Sequence, residues 1–229
     1  MQQVDDPATA LRAAMVADLR ASGVLVDRAV EAAMLVVPRH RFIPEVVLHA
    51  AYADEAVTVK RGTDGRALSS ASQPAIVATM LQELGVRPGQ RVLEVGTGTG
   101  YNAALLAHLA GEAGRVLSVE LEPDLAERAT RALAQTGVDS VTVVIGDGRR
   151  GHPDGLSFDR IIVTTGAGAV VDAWADQLAE GGRLVVPVVD DSGVGSVLTF
   201  EKRGGRMVRC GERRCGFLPL RHAAADSAQ

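Results

Sequence analysis

The residue types most able to do chemistry in this 229-residue chain gather around Glu94-Val95-Gly96-Thr97-Gly98-Thr99-Gly100-Tyr101. Glycine at every second position lets the backbone turn tightly and approach a ligand without side-chain collision. The loop follows an apolar stretch, Arg91–Val95, and opens a helical one, which is where a doubly wound sheet binds a nucleotide-like ligand. Glu120 ends a second apolar stretch about 20 residues beyond Gly100, where a carboxylate can accept both hydroxyls of a ribose. A third stretch ends in Ile145-Gly146-Asp147-Gly148, and Asp147 there could accept the amino group of an adenine. Glu94, Glu120 and Asp147 thus come from three successive strands, all at one edge of the expected sheet.

The spacing bears on which ligand this is. A nicotinamide site is expected to show G-x-G-x-x-G and to set a pyrophosphate on the helix N-terminus. This chain has G-x-G-x-G with Glu94 just before it. A carboxylate there would repel a pyrophosphate but suits a cationic ligand such as S-adenosylmethionine. The expected donor shell is Glu94, Gly96, Thr97, Gly98, Gly100, Tyr101, Glu120, Leu121, Gly146, Asp147 and Gly148. A nicotinamide oxidoreductase and a non-catalytic module that kept the pocket are the rival classes.

The acceptor is read from two other places. The turn after the fourth strand, Val163-Thr164-Thr165-Gly166-Ala167, has no amide and no aromatic residue, which argues against methylation of a nucleobase amine. A carboxylate acceptor is already ionised at pH 7 and needs no general base. It needs an oxygen held in line with the methyl group and protection from water. Ser69-Ser70-Ala71-Ser72-Gln73-Pro74 fits, because its serines precede a helix whose N-terminus favours anions.

These residues need a frame, and the hydrophobic pattern supplies one. Strands are expected at Arg91–Val95, Arg115–Val119, Val141–Ile145, Arg160–Val163 and Arg183–Val188, with helices between them at Asn102–Leu109, Asp124–Gln135 and Val171–Ala179. That alternation implies a mainly parallel, doubly wound Rossmann-like sheet covered on both faces. Ser196–Glu201 and Met207–Cys210 flank Gly204-Gly205 and read as an antiparallel hairpin at the sheet edge. Upstream, helices are expected from Ala10 to Arg20, from Asp27 to Val37 and from Pro74 to Leu84, with Gly85 as the stop. Residues 1–8 read as frayed and 63–72 as a polar loop. The organisation expected is an N-terminal helical extension with substrate-side loops over 1–89 and a donor-binding catalytic domain over 90–229, forming one compact unit.

With these pieces assembled, the chain resembles the protein-L-isoaspartate O-methyltransferases over nearly its whole length. The resemblance rests on Val37-Pro38-Arg39-His40-Arg41-Phe42-Ile43-Pro44, Ala51-Tyr52-Ala53-Asp54, Ser72-Gln73-Pro74, Val92 through Tyr101, Ser118-Val119-Glu120, Gly146-Asp147-Gly148 and Gly181 through Val188. It implies methylation of the free α-carboxylate of isoaspartyl residues in proteins or peptides, giving an ester that collapses to a succinimide. Ser72 would take the active-site serine role, with Ser70, Gln73 and His40 on the substrate side. One departure is Leu68-Ser69-Ser70-Ala71 after a longer Lys60–Ala67 loop. It looks like the branch that acts on ribosomally made precursor peptides, methylating an ordinary aspartate to install an aspartimide.

Composition sets the outer bounds. With 47 % hydrophobic and 23 % charged residues the chain reads as globular. A net charge of −4 argues against a nucleic-acid partner. No apolar run has the ~20 residues a membrane span needs, and residues 1–25 lack the regions of a secretory signal. Cys210 and Cys215 have no second pair beside them, so no metal site is expected, and they read as reduced thiols of a cytoplasmic monomer. Trp174 and the histidines other than His40 are assigned to packing or surface.

Overall fold

The computed structural model describes residues 6–152, 155–218 and 220. Its helices are α1 (Pro7–Ala21), α2 (Arg28–Val36), α3 (Leu48–Ala51), α4 (Pro74–Leu84), α5 (Tyr101–Ala110), α6 (Pro123–Gln135) and α7 (Asp172–Gln177). Its strands are β1 (Val57–Arg61), β2 (Ala67–Ala71), β3 (Arg91–Val95), β4 (Arg115–Glu120), β5 (Val141–Ile145), β6 (Phe158–Val163), β7 (Leu178–Val189), β8 (Val194–Arg203) and β9 (Arg206–Gly216). Single 3-10 turns cover Arg39–Arg41 and Gly148–Arg150.

Seven strands form one sheet in the order β5-β4-β3-β6-β7-β8-β9. The pairs from β5 through β7 are parallel, and β8 and β9 close the edge antiparallel. The doubly wound, mainly parallel architecture read from the sequence is therefore present, with its antiparallel edge. Period-two alternation explains how the sheet is buried on both faces. Val92, Val116, Ile162 and Val185 enter a core shared with α1, α2, α4 and α5. Leu93, Ile161, Leu184 and Val186 point the other way, into a core with Trp174 of α7. Because α1 and α2 contribute Met15, Val16, Leu19, Val30 and Met34 to the first core, the N-terminal helices are packed into the same core as the sheet.

The order in which strands are added to the sheet reverses at β3. The chain runs from β3 outward to β4 and β5, then returns to place β6 on the other side of β3. The crevice beyond the carboxyl ends of β3 and β6 is the switch point at which such sheets bind ligands.

Several elements differ from their sequence reading. Helix α1 starts at Pro7, because Asp6 caps it with a bond from Ala8 N at 3.2 Å. The segment expected as a polar loop contains β2, paired antiparallel with β1. Its serines are compatible with a strand, since they line the cavity described below and are not part of the apolar core. Helix α7 stops at Gln177 and β7 begins at Leu178, where the chain joins the sheet beside Phe158. Strands β8 and β9 outrun the expected hairpin at both ends. His222 lies outside the described residues.

Candidate active site

The loop after β3 is held from both sides. Gly96 N donates to Val119 O at 2.8 Å, and Gly98 N donates to Glu120 Oε2 at 2.7 Å. Gly96, Gly98 and Gly100 have φ of 97°, 55° and 87°, the left-handed region that L side chains rarely adopt. A Cβ on Gly96 would stand 2.6 Å from Thr164 Oγ1, so a side chain there is excluded by sterics as well as by φ.

Beneath this loop runs a buried polar chain. Asn102 Nδ2 donates to Glu94 Oε1 at 2.8 Å, Ser118 Oγ lies 2.5 Å from Glu94 Oε2, and Ser118 Oγ lies 2.6 Å from Thr97 Oγ1. Glu94 is fully buried, and that burial pushes its carboxyl up to about 7 against the pull of these hydrogen bonds.

The loop forms one wall of a cavity of about 410 Å³, within the roughly 300–1,000 Å³ of small-molecule sites. Gly96, Thr97, Gly98, Tyr101, Glu120, Leu121 and Gly148 line it, and so do Ser70, Ser72 and Gln73 from the hairpin side. The sequence reading thus brings ten of its expected residues to one place. The other five stand elsewhere, for separate reasons. Glu94 is turned inside beneath the loop, so it cannot repel or attract a ligand across an open surface. Gly100 packs against α6, since a Cβ there would meet Ala129 at 3.2 Å. Gly146 has Val119 as its neighbour. Asp147 is gripped by Arg149, whose Nη2 lies 2.6 Å from Oδ2, and this pairing holds the Asp147 carboxyl below its ordinary range. His40 bonds Tyr52 OH at 2.8 Å through Nδ1 and is off the wall.

Four residues that the sequence reading quoted without a binding role, Thr164, Thr165, Arg39 and Asp54, belong to the site. Thr164 and Thr165 line the cavity at the end of β6, a position that β6 gains by pairing with β3. Arg39 lines it too, buried to 1 % exposure, with Nε on Ala51 O at 3.0 Å and Nη2 on Ser72 O at 2.9 Å. Asp54 completes the support of Ser72, accepting from Gln73 Nε2 at 3.0 Å and Ala75 N at 2.8 Å. The first free amide of α4 is therefore already capped, and the helix N-terminus is not left open for an anion as the sequence suggested. The signals were in plain view: an arginine between prolines and an aspartate after Tyr52.

The fourth side is closed from the far end of the chain. Gly216, Phe217, Leu218 and Leu220 line the cavity, and Leu218 O and Leu220 N bond the backbone of Gly166. The antiparallel hairpin β8–β9 thus carries a covering segment back to the site. Trp174 anchors the floor, with Nε1 donating to Gly148 O at 2.8 Å.

A glycine loop at the switch point and a strand-end carboxylate with two lone-pair sites still available define a class. It is that of the Rossmann-like, S-adenosylmethionine-dependent methyltransferases. Comparison with known proteins makes the identification narrower. Residues 10–225 match the family model of protein-L-isoaspartate(D-aspartate) O-methyltransferase, and the chain belongs to that family. The protein-L-isoaspartate O-methyltransferase of Methanoculleus marisnigri is 44 % identical over 94 % of this chain and 93 % of its own. That of Methanopyrus kandleri is 40 % identical over 91 % of this chain and 90 % of its own. A solved protein-L-isoaspartate O-methyltransferase superposes with a TM-score of 0.82 at 32 % identity, covering 94 % of this chain and 66 % of that longer one. A Plasmodium falciparum structure solved with S-adenosyl-L-homocysteine shares the fold, with a TM-score of 0.78 at 22 % identity over 96 % of this chain and 100 % of its own.

Proposed function

We propose that this enzyme methylates the free α-carboxylate of isoaspartyl residues in proteins or peptides, using S-adenosylmethionine. The observation that carries the reading is the meeting of two sets of residues across one cavity. The glycine loop, Glu120, Leu121 and Gly148 face it from the sheet, and Ser70, Ser72 and Gln73 face it from the β1–β2 side. The family supports the choice of acceptor.

On this reading Glu120 holds the ribose hydroxyls of the donor. Its oxygens each accept one backbone N–H, from Gly98 and Glu122, and each keeps a lone-pair site. Gly96, Thr97, Gly98 and Tyr101 take the amino-acid end, and Leu121 and Gly148 bound the base. Glu94 supports Thr97 from beneath. Bound S-adenosylmethionine supplies an electrophilic methyl group on a cationic sulfur. The Ser72 hydroxyl orients the acceptor carboxylate, while Leu218 and Leu220 help exclude water from the cavity. No base is required of the protein, because the carboxylate is ionised at neutral pH. The next backbone nitrogen then attacks the ester carbonyl, its proton leaving with the methoxy group as methanol, and closes a succinimide.

We assign residues 1–89 to the acceptor side and 90–229 to donor binding, working as one monomeric unit. With Cys210 and Cys215 read as reduced thiols, the location we assign is cytoplasmic. Among the described residues no helix is long and apolar enough to cross a membrane, and the net charge of −4 favours peptide over nucleic acid.

The test is a methyl-transfer assay on two short peptides that differ only in a normal or isoaspartyl linkage. Turnover confined to the isoaspartyl peptide is expected. Turnover on neither, with the donor still bound, overturns the acceptor and directs attention to a dedicated precursor peptide.

A further inference from the structure

Among the described residues, three buried side-chain polar atoms have no hydrogen-bond partner: Arg39 Nη1, Tyr101 OH and Thr165 Oγ1. All three residues line the same cavity. Only one of them carries a charge. The Arg39 guanidinium stacks 5.1 Å from the centre of the Tyr101 ring and spends Nε and Nη2 on backbone carbonyls. None of the ion pairs among the described residues includes it. Asp54 acts on its charge only from a distance, since its oxygens bond Gln73 and Ala75 and make no ion pair with Arg39. A buried cation with no counter-ion is strongly unfavourable, and the neutral carbonyls on two of its nitrogens do not offset that. Burial accordingly depresses the Arg39 pKa.

We propose that Arg39 is a carboxylate-binding residue of this cavity, with Nη1 as the donor that a ligand carboxylate completes. The inference rests on the methyl-transfer reading above, which brings two carboxylates to the site. One is the amino-acid end of the donor and the other is the acceptor. Their chemistry at Arg39 is the same before reaction and differs after it. An acceptor carboxylate loses its charge on esterification, so Arg39 would hold substrate more tightly than product. A donor carboxylate keeps its charge, so Arg39 would hold S-adenosylmethionine and S-adenosylhomocysteine alike.

The experiment is calorimetric binding to the wild-type chain, Arg39→Met and Arg39→Lys, with two ligand pairs. The donor pair is S-adenosylhomocysteine and its decarboxylated analogue. The acceptor pair is an isoaspartyl peptide and the same peptide with its free α-carboxylate as a carboxamide. In one pair the wild type is expected to prefer the carboxylate at least tenfold. Arg39→Met should shrink that preference below threefold, and Arg39→Lys should restore part of it. The responding pair names the carboxylate. A wild type that binds both pairs with no preference overturns the proposal even if neither variant folds, and so does a preference that survives in Arg39→Met. A wild type that binds neither S-adenosylhomocysteine nor the peptide removes the methyl-transfer reading itself, and this inference with it.

Discussion

The Ser118 hydroxyl sits 2.5 Å from Glu94 Oε2 and 2.6 Å from Thr97 Oγ1, so one buried hydroxyl couples a fully buried carboxyl to the wall of the cavity. Glu94 is therefore a support for the glycine loop whose protonation state is part of the fold.

A pH dependence follows from that coupling. Burial raises the Glu94 carboxyl to about 7, above the ordinary 4.5 of the unfolded chain. Its contribution to stability is complete below pH 4.5 and is lost as pH rises through 7. At about 1.4 kcal/mol for each tenfold change in proton affinity, the loss amounts to a few kcal/mol. Glu94→Gln resembles the protonated form and keeps the hydroxyl chain, because Ser118 can reverse its hydrogen bond. Denaturant unfolding at pH 5 and pH 8 should show wild type losing stability relative to the variant across that interval. Parallel profiles for the two proteins would refute the assignment.

Glu120 should matter chiefly for donor binding. Glu120→Ala would remove the two ribose contacts proposed above and also takes away the side-chain acceptor of the Gly98 and Glu122 amides. Hydrogen bonds to a charged group contribute about 1.5–3 kcal/mol each, so S-adenosylhomocysteine should bind roughly 100-fold or more weakly. Calorimetry measures this directly, and an unchanged Kd would mean the ribose sits elsewhere.

The sheet was legible because its signals are local and redundant. Each central strand is a short apolar run, and Gly96 to Gly100 marks the switch point by itself. The site was legible only where backbone position decides. Gly96, Gly98 and Glu120 reach the cavity because strand ends put them there. Glu94 and Asp147 lie off the cavity wall, which their sequence positions do not reveal, because their carboxylates are already bonded to Ser118 and Arg149. Arg39 and Thr165 were given no binding role because their places depend on long-range packing. Arg39 reaches Ser72 across a separation no periodicity records, and Thr165 matters only once β6 lies beside β3.

Ser72 should separate turnover from affinity. Its side chain lines the cavity, while its carbonyl is fixed by Arg39 Nη2 and stays so in Ser72→Ala. Turnover on the isoaspartyl peptide should fall about tenfold or more, equivalent to roughly 1.4 kcal/mol of transition-state positioning. The Kd for S-adenosylhomocysteine should move less than threefold. Equal losses in both would make Ser72 a donor-binding residue.

Gly96 and Gly100 look alike in the motif and should fail differently. Both have positive φ, so alanine at either costs about 1–2 kcal/mol in backbone strain. At Gly100 the added methyl meets Ala129 of α6, away from the cavity. Gly100→Ala should therefore lower the melting temperature while leaving S-adenosylhomocysteine affinity within about threefold, since nothing it displaces lines the site. At Gly96 the methyl would lie 2.6 Å from Thr164 Oγ1, whose hydroxyl donates to Gly96 O at 2.6 Å. Relief of that clash must move either the loop or the Thr164-Thr165 turn, and both belong to the cavity wall. Gly96→Ala should thus lose both stability and donor affinity. Thermal melts with calorimetry on the two variants decide the matter, and a loss of donor affinity at Gly100 equal to that at Gly96 would return Gly100 to the binding loop.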